Sequence, residues 1–571
     1  MLLQWIREVL QSSAANVFLE AVAVGLALIL AWFFPRLGEG WFRRLEGWGK
    51  SFSASLKWPW PLLFAFLLPI LLRLIQLPIY PPPQPAIHDE FSYLLIGDTL
   101  RHWRLANPTH PLWVHFETIH VFFQPTYASK YPVGQGFALA LPQFAGLPAY
   151  TGVWLSCGFM SAAVYWMLCS WLTPVWALFG VSVVFLRIST LSAWMHSYWG
   201  GAVPAIGGAL VLGALARLLK KPAHNTAFVL GLGVFILANS RPYEGFVLCC
   251  VAAAVLAGWL WKAEYGAAFK FREVVAPLLL ASTATGAFLC YHNWRTTGNP
   301  LELPYQHNRK LYGTPQTFYW QPPVPPVPFR HHEIAQNYRW QLSMRLQGDS
   351  LRTLWDATRL KLREFWLFFF GPVWSVPLLM LPFVARKRAY RIPLLAVLFV
   401  LIAVGCYSFF YPHYLGPIAG AILLVLLACL AELRKLRLRG RPVGLALSRF
   451  LVTLSILSFS WQIGVDAYHF DSERQVKTPR TQVLDVLEKM GGSHVVFVRY
   501  TYNHDFHHEI VYNGADIDAS PIIWARDMGP FANQEVVKYY HGRKFWIFEP
   551  DARPPRLEPY PMILPRIPGF K

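Results

Sequence analysis

Residues 413–441 read HYLGPIAGAILLVLLACLAELRKLRLRGR. Between His413 and Ala431 there is no Asp, Glu, Lys or Arg, and a helix of that length rises roughly 30 Å, the thickness of a bilayer's hydrocarbon core. Arg434, Lys435, Arg437, Arg439 and Arg441 follow within a few residues. An uncharged stretch of spanning length that stops at a block of cations reads as a transmembrane helix ending on the cytoplasmic side, where short loops collect Lys and Arg.

The same alternation runs through most of the chain. Apolar stretches long enough to span occur at about 16–34, 61–79, 150–171, 174–195, 201–219, 225–239, 244–261, 274–292, 365–385, 392–410, 413–431 and 444–465, which predicts about twelve helices. The first lacks a small-residue cleavage site and its basic residues follow it, so it reads as a retained helix rather than a signal peptide. Cations crowd every second connection: Arg36, Arg43, Arg44 and Lys50; Arg217, Lys220 and Lys221; Lys270 and Arg272; Arg386, Lys387, Arg388 and Arg391; then the block after 431. If that side is cytoplasmic, 80–149, 293–364 and everything after 466 face outward. The expected organisation is an all-α polytopic membrane protein. Its helical domain covers 1–466, with large periplasmic loops at 80–149 and 293–364, and a small outward α/β domain covers 467–571.

Composition supports this class. Of 571 residues, 55% are hydrophobic and only 14% charged, in long blocks that exclude a soluble globule. The net charge of +20 does not point to nucleic acid, because the cations sit in short loops between apolar blocks. All seven cysteines fall within or beside apolar blocks, so the long loops carry no disulfide framework and no Cys/His zinc spacing. Asn107-Pro108-Thr109 is a sequon blocked by proline, and no other is present. Together these point to a bacterial inner membrane with the C-terminus periplasmic.

The outward segments are unlike plain connectors. Pro81 to Pro85 begins the first, and Pro322-Pro323-Val324-Pro325-Pro326 forms a rigid extended run in the second. Their aromatic content suits the headgroup level of a membrane. Beyond about residue 470, Val483, Leu484, Leu487 and Met490 predict a helix. A strand is expected at His494–Arg499, another near Ile522–Ala525, a helix at Val536–Tyr540 and a strand at Phe545–Phe548. No phosphate-binding glycine fingerprint occurs there.

Candidate chemistry begins at His88-Asp89-Glu90, just after the second span. Two carboxylates at the outer membrane surface can deprotonate an acceptor hydroxyl or bind a divalent cation. A helix N-terminus stabilised by an acidic pair is the equally weighted alternative. Tyr127 to Gly136 carries Lys130-Tyr131-Pro132 ahead of the next span: a cation for a phosphate leaving group, or a lysine that snorkels to the interface. His196, Arg241-Pro242-Tyr243-Glu244, Arg295 and His413 stand at outward ends of later spans. Arg241 and Arg295 are candidate phosphate ligands, although Arg241 with Glu244 also reads as a local ion pair. His88, Tyr131, His196, Tyr243, Glu244 and His413 are candidates for substrate contact. His115-Phe116-Glu117-Thr118-Ile119-His120 is not a zinc-protease motif, since its histidines stand five apart. His504, His507 and His508 read first as a polar loop and second as metal ligands. Arg73 and Arg187 lie within spans, where a charge faces a cavity or partner.

Asp89-Glu90 in the first outward loop, Lys130-Tyr131-Pro132 before the following span, many helices and an outward C-terminal domain resemble the C-type glycosyltransferase superfamily, nearest the protein O-mannosyltransferase and aminoarabinose-transferase families. Those families carry Lys-Pro-Pro where this chain has Lys-Tyr-Pro. The resemblance implies a polyprenyl-phosphate sugar donor, a lipid, glycan or protein acceptor, and inversion at the anomeric carbon. It gives Asp89 the role of general base and Lys130 a place at the departing phosphate. Glu90 would orient the acceptor or share a metal with Asp89, and a divalent ion is the one cofactor it brings into view. The rival class is a polytopic transporter or lipid flippase, which predicts repeated halves and midplane charges not evident here.

Overall fold

In a computed structural model the described residues are 13–313, 317–322, 327–468 and 477–561. Pro323 to Pro326, most of the second proline-rich run, lie outside them. The chain divides into two compact units, one of Met1–Pro83, Tyr150–Ala287 and Gln347–Glu473, the other of Gln84–Ala149, Phe288–Leu346 and Arg474–Lys571.

The first unit is a helical bundle of a multi-pass membrane protein. Among the described residues seven helices are long and apolar enough to cross a bilayer: Ala14–Phe33, Tyr150–Leu168, Pro242–Lys262, Ala267–Thr297, Arg388–Gly405, Pro412–Leu433 and Val443–Ala467. Two bent pairs raise the number to nine, Glu39–Ser55 with Trp60–Ile75 at 118° and Pro174–Val184 with Leu186–His196 at 41°. The apolar helices Ala202–Leu218 and His224–Ala238 are shorter than a full span. The stretch expected to span at 365–385 is instead Leu351–Phe369, Gly371–Leu378 and Leu381–Ala385. Pro372 and Pro382 stand at the starts of the last two, where proline is tolerated because its missing N–H would be unpaired anyway.

Within Pro412–Leu433, 89% of the residues in an 18-residue apolar window are buried, which puts this helix at the centre of the bundle. Ala202–Leu218 and His224–Ala238 approach closely through glycine. A Cβ on Gly233 would stand 2.8 Å from Gly207 O, and one on Gly207 3.1 Å from Gly233 O. Small residues let helix backbones touch where lipid offers no hydrophobic drive to association. Arg73 is fully buried; it donates to Tyr150 Oη at 3.3 Å and Pro81 O at 3.4 Å, and lies against the rings of Tyr150 and Trp154.

The second unit is built on a mixed sheet. Strands β1 (Val121–Phe122) and β2 (Ala128–Ser129) pair antiparallel; β3 (His494–Val498), β4 (Ile522–Arg526), β5 (Lys544–Glu549) and β6 (Arg556–Pro559) form a sheet ordered β4-β3-β5-β6. β3 is parallel to β4 and β5, and β6 runs antiparallel to β5. Side chains alternate faces along a strand. Val495, Phe497, Ile523, Ala525 and Phe545 point to one face, where Leu95, Phe116, Val121, Phe123 and Tyr127 from the first long segment complete the core. Val496, Val498, Trp524 and Phe548 point to the other, covered by Val483 and Leu487 of helix Pro479–Met490. The C-terminal strands thus share one core with residues some 370 positions earlier in the chain.

A buried ionic network crosses this unit. Arg526, 3% exposed, donates to Glu117 O at 2.7 Å, Glu333 Oε2 at 2.9 Å and Glu509 Oε2 at 2.6 Å. Beside it His331 donates from Nε2 to Val114 O at 2.9 Å. Burial, then the charge of Arg526, pull this imidazole down to about 3. The unfolded chain, with an ordinary histidine near 6.5, therefore binds a proton that the folded unit refuses, and stability falls as pH drops from about 6.5 towards 3. Glu117, whose Oε2 is 3.5 Å away and which burial pushes up, opposes part of that loss. The expected cost at pH 4.5 is on the order of 2 kcal/mol. Thermal unfolding of wild type and His331→Gln at pH 7 and pH 4.5 checks it, and an identical acid response in both would refute the assignment.

Candidate active site

The candidate site grows from the meeting of one helix N-terminus and the small hairpin. Helix His88–Arg101 starts with Glu90 Oε2 accepting the backbone N–H groups of Ala86 at 2.9 Å and Ile87 at 3.4 Å. This satisfies donors that the first turn leaves unpaired. Of the two adjacent carboxylates, Glu90 thereby serves the backbone, and Asp89, one position earlier on the turn, faces a cluster of rings.

Register then sets the rest. Val121 pairs with Ser129 and Phe122 with Ala128. The next pair along, His120 and Lys130, is joined by the Lys130 N–H donating to His120 O at 3.1 Å. Ser92 Oγ also donates to His120 O at 2.9 Å and lies 2.7 Å from Ser129 Oγ, fastening the hairpin to the helix. His120 has φ 64°, a left-handed conformation that costs an L residue about 1 kcal/mol and persists only where surroundings impose it. Tyr93 stacks on Tyr131 with centroids 4.5 Å apart.

The result brings together His88, Asp89, His120, Lys130 and Tyr131. Tyr131 Oη donates to Asp89 Oδ1; His88 Nδ1 lies 2.9 Å from Oδ2 and His120 Nε2 3.8 Å from Oδ1. The Asp89 side chain is 26% exposed while those of His88 and His120 are 6% and 4%, so the carboxylate is the part a solute can reach. Burial alone would raise the Asp89 carboxyl. The neighbouring His88 and His120 imidazoles and the hydrogen bond from Tyr131 overcome it, and hold the group well below the ordinary carboxylate range. Burial, reinforced by the Asp89 charge, pushes the Tyr131 hydroxyl far up, so it stays protonated and donates. Burial and the positive charges of Lys130 and His88 pull His120 well down, leaving a neutral imidazole.

Lys130 is buried rather than snorkelling, its Nζ 5.2 Å from the Tyr131 ring centroid and 5.4 Å from that of Tyr305. Burial pulls it down to about 7; the Asp89 charge opposes this and that of Arg309 adds to it. Arg309 and Tyr305 are site residues that reading the sequence missed, and so is His120, which carried no motif. The signal that could have found His120 is its position opposite Lys130 across a short hairpin, visible only once the register is known.

One ligand atom each from His88, Asp89 and His120 lie within 4.8 Å of one another. His88 Nε2 and His120 Nδ1 are buried without a hydrogen-bond partner. This nitrogen, nitrogen, oxygen set fits a divalent ion of the zinc or manganese type, whereas the sequence pointed to Asp89 with Glu90.

Of the remaining candidates, Arg241 and His413 meet at the Tyr414 ring in the helical unit. Arg295 is exposed, with Nη1 3.4 Å from Tyr291 Oη. In the helical unit, the Arg241 guanidinium lies 4.4 Å from the Tyr414 ring centroid; Glu244 is 2% exposed with Oε1 unpartnered, and Tyr243 Oη donates to Ala403 O at 3.1 Å. His196 Nε2 donates to Thr190 O at 2.8 Å. His413 joins Arg187, Glu364 and Trp199 in lining a cavity of about 270 Å³, which gives Arg187 the cavity expected of a charge inside a span.

No family model matches the chain, and no curated protein matches it in sequence. Among solved structures it is similar to ArnT from Cupriavidus metallidurans bound to undecaprenyl phosphate, at 10% identity and a TM-score of 0.44, over 85% of this chain and 92% of that one. It is also similar to the Archaeoglobus fulgidus oligosaccharyltransferase in the apo form, at 11% identity and a TM-score of 0.39. That match covers 79% of this chain and 63% of the oligosaccharyltransferase, so the chain spans less than two thirds of its length.

Proposed function

We propose that the protein is a membrane glycosyltransferase that moves a sugar from a polyprenyl-phosphate donor to an acceptor hydroxyl, with inversion, on the periplasmic face of a bacterial inner membrane. The observation that carries this reading is the ionised, partly open carboxylate of Asp89 in one cluster with the buried side chain of Lys130. Asp89 accepts the hydrogen bond of the acceptor hydroxyl and takes its proton as the acceptor oxygen bonds to the anomeric carbon. The bond from that carbon to the phosphate oxygen breaks, its electron pair leaves with the phosphate, and Lys130 with Arg309 stabilises the developing anion. No general acid is required, because the phosphate departs as a stable anion. Tyr131 and His88 fix the carboxylate's orientation. A divalent ion held by His88, Asp89 and His120 would supply further positive charge next to the carboxylate.

Transfer of radiolabelled sugar from synthetic polyprenyl-phosphate donors by the purified protein tests the reading. Neither transfer nor donor hydrolysis with any carrier, from protein shown to be folded, would reject it and turn attention to flux assays. Lys130→Met is expected to raise the donor KM by roughly 10- to 100-fold, the worth of one charge-assisted contact to phosphate. An unchanged donor KM would remove Lys130 from the phosphate site.

A further inference from the structure

Helix Glu39–Ser55 stands at 118° to the span Trp60–Ile75 that follows it, so it lies across that span rather than extending it. Gly38, at φ 69°, turns the chain into this helix from the first span. Helical position then divides its side chains. Phe42 and Glu46 pack on the fold: the Phe42 ring meets that of Phe450 with centroids 6.2 Å apart, and Glu46 accepts from Arg434 Nη2 at 2.9 Å and Arg449 Nη2 at 3.0 Å. Trp41, Leu45 and Trp48, at i, i+4 and i+7, form a separate stripe, and all three are exposed. Trp58 and Trp60, in the elbow that leads to the next span, are exposed as well. Tryptophan favours the headgroup level of a bilayer, and a helix lying in that plane buries such an apolar stripe in it.

The elbow also holds a cavity of about 690 Å³, within the range of roughly 300–1,000 Å³ that ligand sites occupy. Leu56, Trp58, Tyr165, Trp166 and Val175 give it apolar walls, and Arg217 stands among them. The Arg217 guanidinium lies over the Trp166 ring, 3.8 Å from its centroid, and donates to Trp166 O at 2.7 Å, Gly213 O at 2.9 Å and Ser170 Oγ. All three acceptors are neutral. Among the described residues no carboxylate pairs with Arg217, and no acid lines the cavity. Lys57, between Leu56 and Trp58 in the chain, is exposed and brings a second cation to the same turn. The acids of the neighbouring helix are already matched, Glu39 by Arg43 at 2.7 Å and Glu46 by Arg434 and Arg449.

An apolar hollow with an unmatched cation, beside a helix built for the interface, selects an anion that carries a hydrocarbon chain. A free phosphate ion gains nothing from the apolar walls, and an uncharged headgroup leaves the cations unmatched. We propose that the elbow is a binding site for an anionic phospholipid, with an acyl chain in the cavity and the phosphate held by Arg217 and Lys57. Trp41, Leu45 and Trp48 seat the helix in the same leaflet, the one that the Lys- and Arg-rich loops face. Every residue of the site belongs to the helical unit, and lipid binding there does not rest on the transferase reading.

Retention of radiolabelled phosphatidylglycerol by the delipidated full chain in detergent tests the site, with unlabelled lipids and inorganic phosphate as competitors. Phosphatidylglycerol is expected to compete about tenfold better than phosphatidylcholine, the difference one charge-assisted hydrogen bond makes. Millimolar inorganic phosphate, at matched ionic strength, is expected not to compete. Ala54→Trp, an exposed position on the cavity wall, fills the space and should weaken phosphatidylglycerol binding about tenfold by excluding part of the chain. Lys57→Gln, exposed and outside the packed core, should bring the two lipids to within about threefold of each other. Equal competition by the two lipids in wild type, binding unchanged in both variants, or displacement by inorganic phosphate alone overturns the site.

Discussion

Asp89→Asn is expected to leave the protein folded and to lower sugar transfer by roughly a thousandfold, within the range that a positioned proton acceptor contributes. The amide matches the carboxylate in size and can still accept from Tyr131 Oη, and the position is 26% exposed, so no charge-sized hole is left in a core. What is lost is the anion: an amide neither takes the acceptor's proton nor holds His88 by charge. Donor affinity should fall less than transfer, because the phosphate is assigned to Lys130 and Arg309, although losing the Asp89 charge also lowers the Lys130 amine further. A parallel loss of donor binding, or transfer within tenfold of wild type, would show that Asp89 does not act on the acceptor. Tyr131→Phe serves as the graded companion, since it removes one hydrogen bond to Asp89 and keeps the stack on Tyr93.

Arg526→Met should produce the largest loss of stability, about 3–5 kcal/mol, because removing one member of a buried ionic network leaves its partners charged and unpaired. Glu509 has a side chain with no exposed surface and Glu333 one that is 12% exposed, so neither can regain water. The network joins β4 to residues 117, 333 and 509, from all three stretches that make up the second unit. Its loss should therefore lower the unfolding temperature of that unit as a whole. The double variant Arg526→Met with Glu509→Gln should recover part of the loss, and no recovery would mean that packing, not charge, sets the cost.

Membrane class was legible in residues 413–441 because a bilayer imposes its thickness on any segment that crosses it, and apolar length and flanking charge are both one-dimensional quantities. The C-terminal helices and strands were likewise visible in their local periodicity, since β3 to β5 alternate between two buried faces. Asp89 and Lys130 could be singled out because an acid or a cation at the expected end of a span is conspicuous. Their surroundings could not. Whether Glu90 caps its own helix or faces a ligand depends on where the helix starts in three dimensions, and the helix N-terminus made both readings equal on paper. His120 entered the site through strand register, and Arg309 and Tyr305 through packing of a segment some 180 residues further on. Sequence by itself determined which segments seek lipid and where charge is affordable to a folded chain; the tertiary structure alone decided which of those charges meet, because contacts between distant residues arise from the packing of whole elements and leave no periodic trace along the chain.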